Sequence, residues 1–295
     1  MFNPADLAHL IEAALHSPGL MPPNEFNLSR YSLSQHTRNR LLDPDISALE
    51  DYLIDHSNLP GESTDLVLLH AFGDVVRTIC HSENTPLRVG YQHMAWLLAW
   101  LNLHHPPSFF GEDPDSPLQM LQMCAALGIG EWAAHYNQIE GGIADLFTLA
   151  NSPLWRVRAA AALGLARMLN GAWARTSRRY RYYVTSANAR EWQAILTSVS
   201  LFEQFTAAQV IDALDLYQQA FRFIGEQENG KVAGLCEEIP GCLVRVIEAA
   251  PALGFAYLLA WAQWKTPAVQ GIIQQTIGHL DQWGEQVEQI RRVLP

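Results

Sequence analysis

NSPLWRVRAAAALGLARML, residues 151–169, reads as a helix laid against other helices. Ser152 supplies a capping hydroxyl, and Pro153 suits the first helical position, where a missing N–H leaves nothing unpaired. Leu154, Val157, Ala161, Leu165 and Met168 recur at helical spacing and therefore share a face. The alanines and Gly164 keep that surface low enough for a second helix to approach closely. Elsewhere the chain has no alternating β-branched run long enough for a sheet, so the predicted fold class is all-α.

Working outward, a proline preceded by Ser, Thr, Asp or Asn recurs at Asn3-Pro4, Asp43-Pro44, Thr85-Pro86, Ser116-Pro117, Ser152-Pro153 and Thr266-Pro267. Successive prolines lie 40, 42, 31, 36 and 114 residues apart, the last being three times 38. Helix starts near Ser186 and Glu228 fall in that longest gap where such a period requires them. A helix–turn–helix unit occupies about forty residues, and a fixed period of that size marks an α-solenoid of stacked helix pairs. The expected organisation is one repeat domain over residues 1–295, with about six or seven pairs by that period. The irregular region 17–42 and the insertion 104–116 break the pattern and read as long loops, a class that often carries function.

Individual helices are legible as well. Ile46, Leu49, Leu53 and Ile54 form a face after Pro44, and Leu66, Leu69, Phe72, Val76 and Ile79 form a stripe from Thr64 to Cys80. Leu87 to Leu103 is apolar nearly all round from Met94 onward, which predicts cover on several sides. Thr206 to Gln209 has the capping-box form and precedes Val210, Leu214, Tyr217 and Phe221 on one face.

The segment 151–169 resembles a HEAT-type repeat, through Pro153, Val157, Arg158, Ala161, Leu163 and Gly164. It departs from that pattern at Asn151, where the family usually carries an aspartate that pairs with the arginine of a neighbouring repeat. The resemblance implies a HEAT-like, armadillo-like superhelix and a framework role for Arg158. It also implies a wide range of functions, from scaffolds and transport adaptors to some DNA repair enzymes.

Composition narrows that range. Apolar residues make up 49% of the chain and charged residues 17%, which excludes wholesale disorder. The longest nearly uncharged run, Glu248 to Lys265, is broken by Pro251 and Gly254 and is too short to span a bilayer. Cys80, Cys124, Cys236 and Cys242 lack CxxC spacing and read as small buried hydrophobes in a reducing compartment. The first residues carry Asp6 and Glu12 and no basic n-region, so neither a signal peptide nor a membrane partner is expected, and the cytoplasm is the expected location.

Charge is unevenly spread. The net charge is −11, yet no Asp or Glu lies between Asp145 and Glu191, where Arg156, Arg158, Arg167, Arg175, Arg178, Arg179, Arg181 and Arg190 occur. That stretch is +8 and the remainder −19. The densest part, ARTSRRYRYY, places Arg175, Arg178, Arg179 and Tyr182 on one side of a helix. Guanidinium groups fork onto phosphates or carboxylates, and aromatic rings offer stacking faces. Arg175, Arg178, Arg179, Arg181, Tyr182 and Trp155 are therefore the candidate surface for a protein partner or an acidic or phosphate-bearing ligand. The bland alternative is a solvated face, or arginines paired with acidic neighbouring repeats, with Tyr180 and Tyr183 in the core. Net acidity counts against nucleic acid as the partner.

Catalytic patterns are largely missing: the chain has no Gly-rich phosphate loop, HExxH, GxSxG or EF-hand loop. His70 and His81, like His93 and His104, are eleven residues apart, about 16 Å along one helix and too far to share a metal. Two helices could still bring His70 or His81 near His93 and Asp74. The expected protein is a non-catalytic interaction scaffold without cofactor or metal. The enzyme alternative is a HEAT-like DNA glycosylase of the alkylation-repair kind, using Trp155, Trp173, the arginines from Arg175 to Arg181, and Asp145 as the carboxylate.

Overall fold

The structure, a computed structural model, describes residues 3–17, 44–59, 65–103 and 116–294. The loop expectations at 17–42 and 104–116 lie outside these residues, apart from Ser17 and Ser116. Among the described residues the chain is helical throughout, with no strand. Thirteen α-helices follow in order: α1 Pro4–His16, α2 Pro44–Asp55, α3 Leu66–His81, α4 Met94–Leu103, α5 Gln119–His135, α6 Ile139–Ala150, α7 Trp155–Tyr183, α8 Ala189–Ser200, α9 Ala207–Glu226, α10 Asn229–Ala249, α11 Pro251–Ala262, α12 Pro267–Gly278 and α13 Gly284–Arg291. A π-helical turn, Val89–His93, leads into α4, and a 3-10 turn, Asp281–Trp283, leads into α13.

Local chemistry sets many of these boundaries. The Asn3 side chain accepts from the Ala5 N–H at 3.1 Å, ahead of Pro4 in the first turn of α1. Asp65 caps α3 by accepting from the Leu68 N–H at 3.0 Å. Thr206 and Gln209 form the predicted capping box, and Asn188 with Glu191 forms a second at the start of α8. Each such cap offsets orphan N–H groups and is worth about 1 kcal/mol. Helix α7 begins two residues later than the proline rule predicts, at Trp155. The Ser152 hydroxyl accepts from the Leu154 N–H at 3.2 Å, and Arg158 donates to the carbonyls of Ser152 and Pro153 at 3.0 and 2.7 Å. These bonds hold residues 152–154 in a turn.

The chain divides into two compact units, Met1–Gly171 and Ala172–Pro295. The division falls within α7, where Ala172 leaves helical geometry at φ −153° and ψ 50°.

In the first unit, α1 packs on α2 and α3, α3 packs on α5, and α5 also meets α2, α4 and α6. Helix α5 is covered on nearly every side, with fifteen of its seventeen residues buried. It also lies very close to α7. A Cβ on Gly130 would sit 2.1 Å from the Gly164 carbonyl oxygen, and one on Gly164 would sit 2.3 Å from that of Ala126. The low surface read from residues 151–169 is thus used for helix contact, and Val157, Ala161, Leu165 and Met168 are fully buried behind it. Leu66 departs from the predicted stripe of α3: it is exposed, whereas Leu69, Phe72, Val76 and Ile79 are buried.

In the second unit, α10 is the central element. It packs on α8, α9, α11 and α12, while α9 also meets α8, α11 and α12 and α11 meets α12 and α13. Trp192, Tyr217, Phe221 and Trp261 are its largest buried side chains after Tyr180 is set aside. Each contributes about 1.5–3 kcal/mol through removal from water. No described helix is long and apolar enough to cross a membrane.

Candidate functional site

The basic stretch from Arg175 to Tyr182 belongs to the second unit, and its orientation follows from the opposite side of the helix. Ala172, Thr176, Ser177, Tyr180 and Val184 are buried, with Tyr180 fully enclosed and its hydroxyl 3.1 Å from Ser198 Oγ. Those positions recur at three- and four-residue spacing, so the residues half a turn away must face water. Arg175, Arg178, Arg179 and Tyr182 are accordingly exposed, Tyr182 to 67%. The four side chains occupy one face over two turns.

Arg181 is exposed as well but lies on the flank of that face, where its guanidinium pairs with Asp212 of α9. The other oxygen of the same carboxylate accepts from the Trp173 indole N–H at 3.3 Å. Trp173 packs against Phe202 and Phe205, at ring-centroid distances of 4.5 and 5.7 Å. Asp212 thus holds Arg181 and Trp173 against α9. Arg190 is exposed at the first turn of α8, beside the capping-box carboxylate of Glu191.

Trp155 belongs to the first unit. It is 55% exposed, and the guanidinium carbon of the buried Arg156 lies 4.7 Å from its ring centroid, a cation–π contact. Arg158 is committed to the turn carbonyls described above. Asp145 is exposed on α6.

Arg167 has a different role from its neighbours in the sequence. It donates to Asp74 at 2.6 Å, to Glu131 at 3.1 Å and to the Nδ1 of His70 at 2.9 Å. Arg77 binds the same glutamate with two bonds, Nε to Oε2 at 3.0 Å and Nη2 to Oε1 at 2.7 Å. Glu131 is buried, and a buried carboxylate is tolerable only with such charged donors around it. Because His70 Nδ1 accepts, its proton sits on Nε2; burial and the Arg167 charge lower its pKa, and Asp74 partly opposes them. This network joins α3, α5 and α7 within the first unit. Sequence reading noticed His70, Asp74 and His81 but not their partners. The spacing 70, 74, 77, 81 on α3 is a signal for one polar face; the convergence of Glu131 and Arg167 on it has no local signature.

Three further histidines make contacts within the fold. His81 and His135 meet edge to face with centroids 4.3 Å apart, and burial together with His81 lowers the His135 pKa. His93 bonds through Nδ1 to the Leu15 carbonyl at 2.7 Å and stacks on Trp96. Among the described residues no group of three or more His, Cys, Asp or Glu is arranged to hold a metal ion. Burial, reinforced by Glu131, pushes the Cys80 thiol up to about 12, and burial alone raises Cys124 further. Both thiols are therefore protonated at neutral pH and poor nucleophiles.

No family model matches this chain, and no curated protein matches it. The HEAT resemblance thus rests on residues 151–169.

Proposed function

We propose that this chain is a non-catalytic, HEAT-like α-solenoid that works as an interaction scaffold in the cytoplasm. On this reading it binds a protein partner or an anionic ligand through the Arg175, Arg178, Arg179 and Tyr182 face, with Arg181 on its flank. One observation carries the binding reading: these side chains point away from a well-anchored core face, so the helix presents them to solvent. A solenoid is supported within each unit by contacts between alternate helices. They run α1–α3–α5 in the first unit, and α8–α10–α12 beside α9–α11–α13 in the second, as expected for stacked helix pairs in two layers. Trp155 adds an exposed aromatic surface in the first unit.

The test replaces Arg175, Arg178 and Arg179 together with Ser. Partners are captured from the native extract on both proteins, and the retained partner is then reconstituted from pure components. The reading expects binding by the wild-type chain, loss of binding by the triple variant, and unchanged helicity, because exposed charges contribute little to folding. Equal retention by both proteins refutes the site. Release of a modified base from duplex DNA, abolished by Asp145→Asn, refutes the non-catalytic reading in favour of the glycosylase.

A further inference from the structure

We infer that His81 and His135, at the C-terminal ends of α3 and α5, form a chelating pair for a divalent transition metal ion. The pair lies wholly within the first unit and is independent of the arginine face.

The two histidines are the last rung of a ladder between two helices. A Cβ on Gly73 would sit 3.4 Å from the Leu127 Cβ. Arg77 forks onto Glu131 at 3.0 and 2.7 Å, and His81 meets His135 with ring centroids 4.3 Å apart. The two residues of each rung are 54 positions apart, and successive rungs are four apart. Helices α3 and α5 therefore run parallel, with matching rows of side chains facing each other. Glu131 is buried, and its fork with Arg77 fixes both helices one turn before the histidines. The imidazoles are thus brought together by contacts they do not themselves supply.

His81 is already oriented as a ligand. A carbonyl oxygen only accepts, so the 2.8 Å contact between His81 Nδ1 and the Arg77 carbonyl puts a proton on Nδ1. In the neutral ring Nε2 then carries the unshared pair. Histidines that bind metals are held in this way, through a bond from the other nitrogen. His135 has no hydrogen bond on either nitrogen among the described residues. Ring packing holds it, against His81 and against Tyr136 at a centroid distance of 4.5 Å, so a nitrogen can turn toward His81.

The spacing suits one shared ion. Two imidazoles bound to the same ion at about 2.0–2.1 Å have centroids about 4.5–5 Å apart, which a side-chain adjustment of less than about 1 Å reaches from here. Both residues occupy the last turn of their helices, where the terminal carbonyls favour a cation. Both are exposed, which gives the remaining coordination positions to water. Cys80 is buried and its thiol is engaged with Tyr136, so the protein ligands number two. Two ligands and open positions describe an exchangeable ion, not a closed four-ligand structural site. Imidazole selects Zn²⁺, Cu²⁺ or Ni²⁺ over Mg²⁺ and Ca²⁺, which take oxygen ligands.

The experiment titrates Zn²⁺ into the metal-free full chain by calorimetry, alongside His81→Gln, His135→Gln, the double variant and His279→Gln. His279 is an exposed histidine of the second unit and serves as the control. The wild-type chain should show one tight equivalent. Either single substitution should weaken it at least about tenfold, or 1.4 kcal/mol. The double variant should weaken it no further, because a chelate is broken by losing one arm. The control should match the wild type, excess Mg²⁺ should not compete, and circular dichroism should be unchanged. Tight binding that survives either single substitution, an equal loss in His279→Gln, competition by Mg²⁺, or no binding by the wild type overturns the site. A second readout needs no variant: saturating Zn²⁺ should shield His81 and His135 of the wild-type chain from diethyl pyrocarbonate. Equal modification of the pair with and without Zn²⁺ also overturns it.

Discussion

Substituting Gly130 with Ala tests the closest helix contact in the first unit. The new methyl would lie 2.1 Å from the Gly164 carbonyl oxygen and 2.8 Å from its carbon, whereas ordinary contact begins near 3.4 Å. Both atoms are backbone, so no side-chain rotation relieves the overlap, and α5 and α7 must part by more than an ångström. Overpacking of this kind costs about 1–3 kcal/mol and occasionally more. Against it stands the helix-propensity gain of Gly→Ala, about 1 kcal/mol. The backbone nature of the clash puts the cost at its upper end, for a net loss of about 2 kcal/mol. Urea unfolding followed by far-UV circular dichroism should show a midpoint lowered by about 1 M, taking a slope near 2 kcal/mol/M. Gly141→Ala is the control, because a Cβ there meets nothing within 4 Å; it should stabilise by about 0.4–1 kcal/mol. If the two substitutions shift the midpoint in the same direction, the close approach of α5 and α7 is wrong.

Removing the shared anion should be more damaging: Glu131→Ala leaves Arg77 and Arg167 without their buried partner, for a loss of about 3–5 kcal/mol in the same assay. The His70 pKa is lowered in the folded chain from 6.5, so its contribution is fully present above that value and declines as pH falls below it, when the unfolded state takes the proton first. Melting temperature should therefore drop between neutral and mildly acidic pH, and His70→Gln should flatten part of that slope. Thiol labelling of the native protein near pH 8 should modify the half-buried Cys236 and Cys242 before the buried Cys80 and Cys124; early labelling of Cys80 would contradict its enclosure.

The sequence was most readable where one segment decides its own conformation. The caps at Asn3 and Thr206 and the apolar faces of α2 and α9 depend on neighbours three or four residues away. The outward face of Arg175, Arg178, Arg179 and Tyr182 was legible for the same reason, since helical spacing alone separates it from Tyr180. The start of α7 was misplaced because Arg158 reaches back to the Ser152 and Pro153 carbonyls, a competition the proline rule ignores. Arg167 and Arg181 looked equivalent to the other arginines of the stretch. Their carboxylate partners, Asp74, Glu131 and Asp212, come from helices distant in sequence. No periodicity announces which residues a long side chain will reach across a packed interface. Arg156, Arg158, Arg167 and Arg181 are among the arginines of the stretch that contacts within the fold hold in place.

Glu131 serves as common counter-ion to arginines from two different helices, and that ties three positions together in descent. Losing the carboxylate alone takes a shared buried counter-ion from two cations, of which Arg167 keeps Asp74, while losing either arginine alone leaves the buried acid with a single cation. Such a trio drifts as a set. Relatives of this chain that carry an apolar residue at the position of Glu131 should also have lost the charges at Arg77 and Arg167, and chains that keep one of the three should keep all.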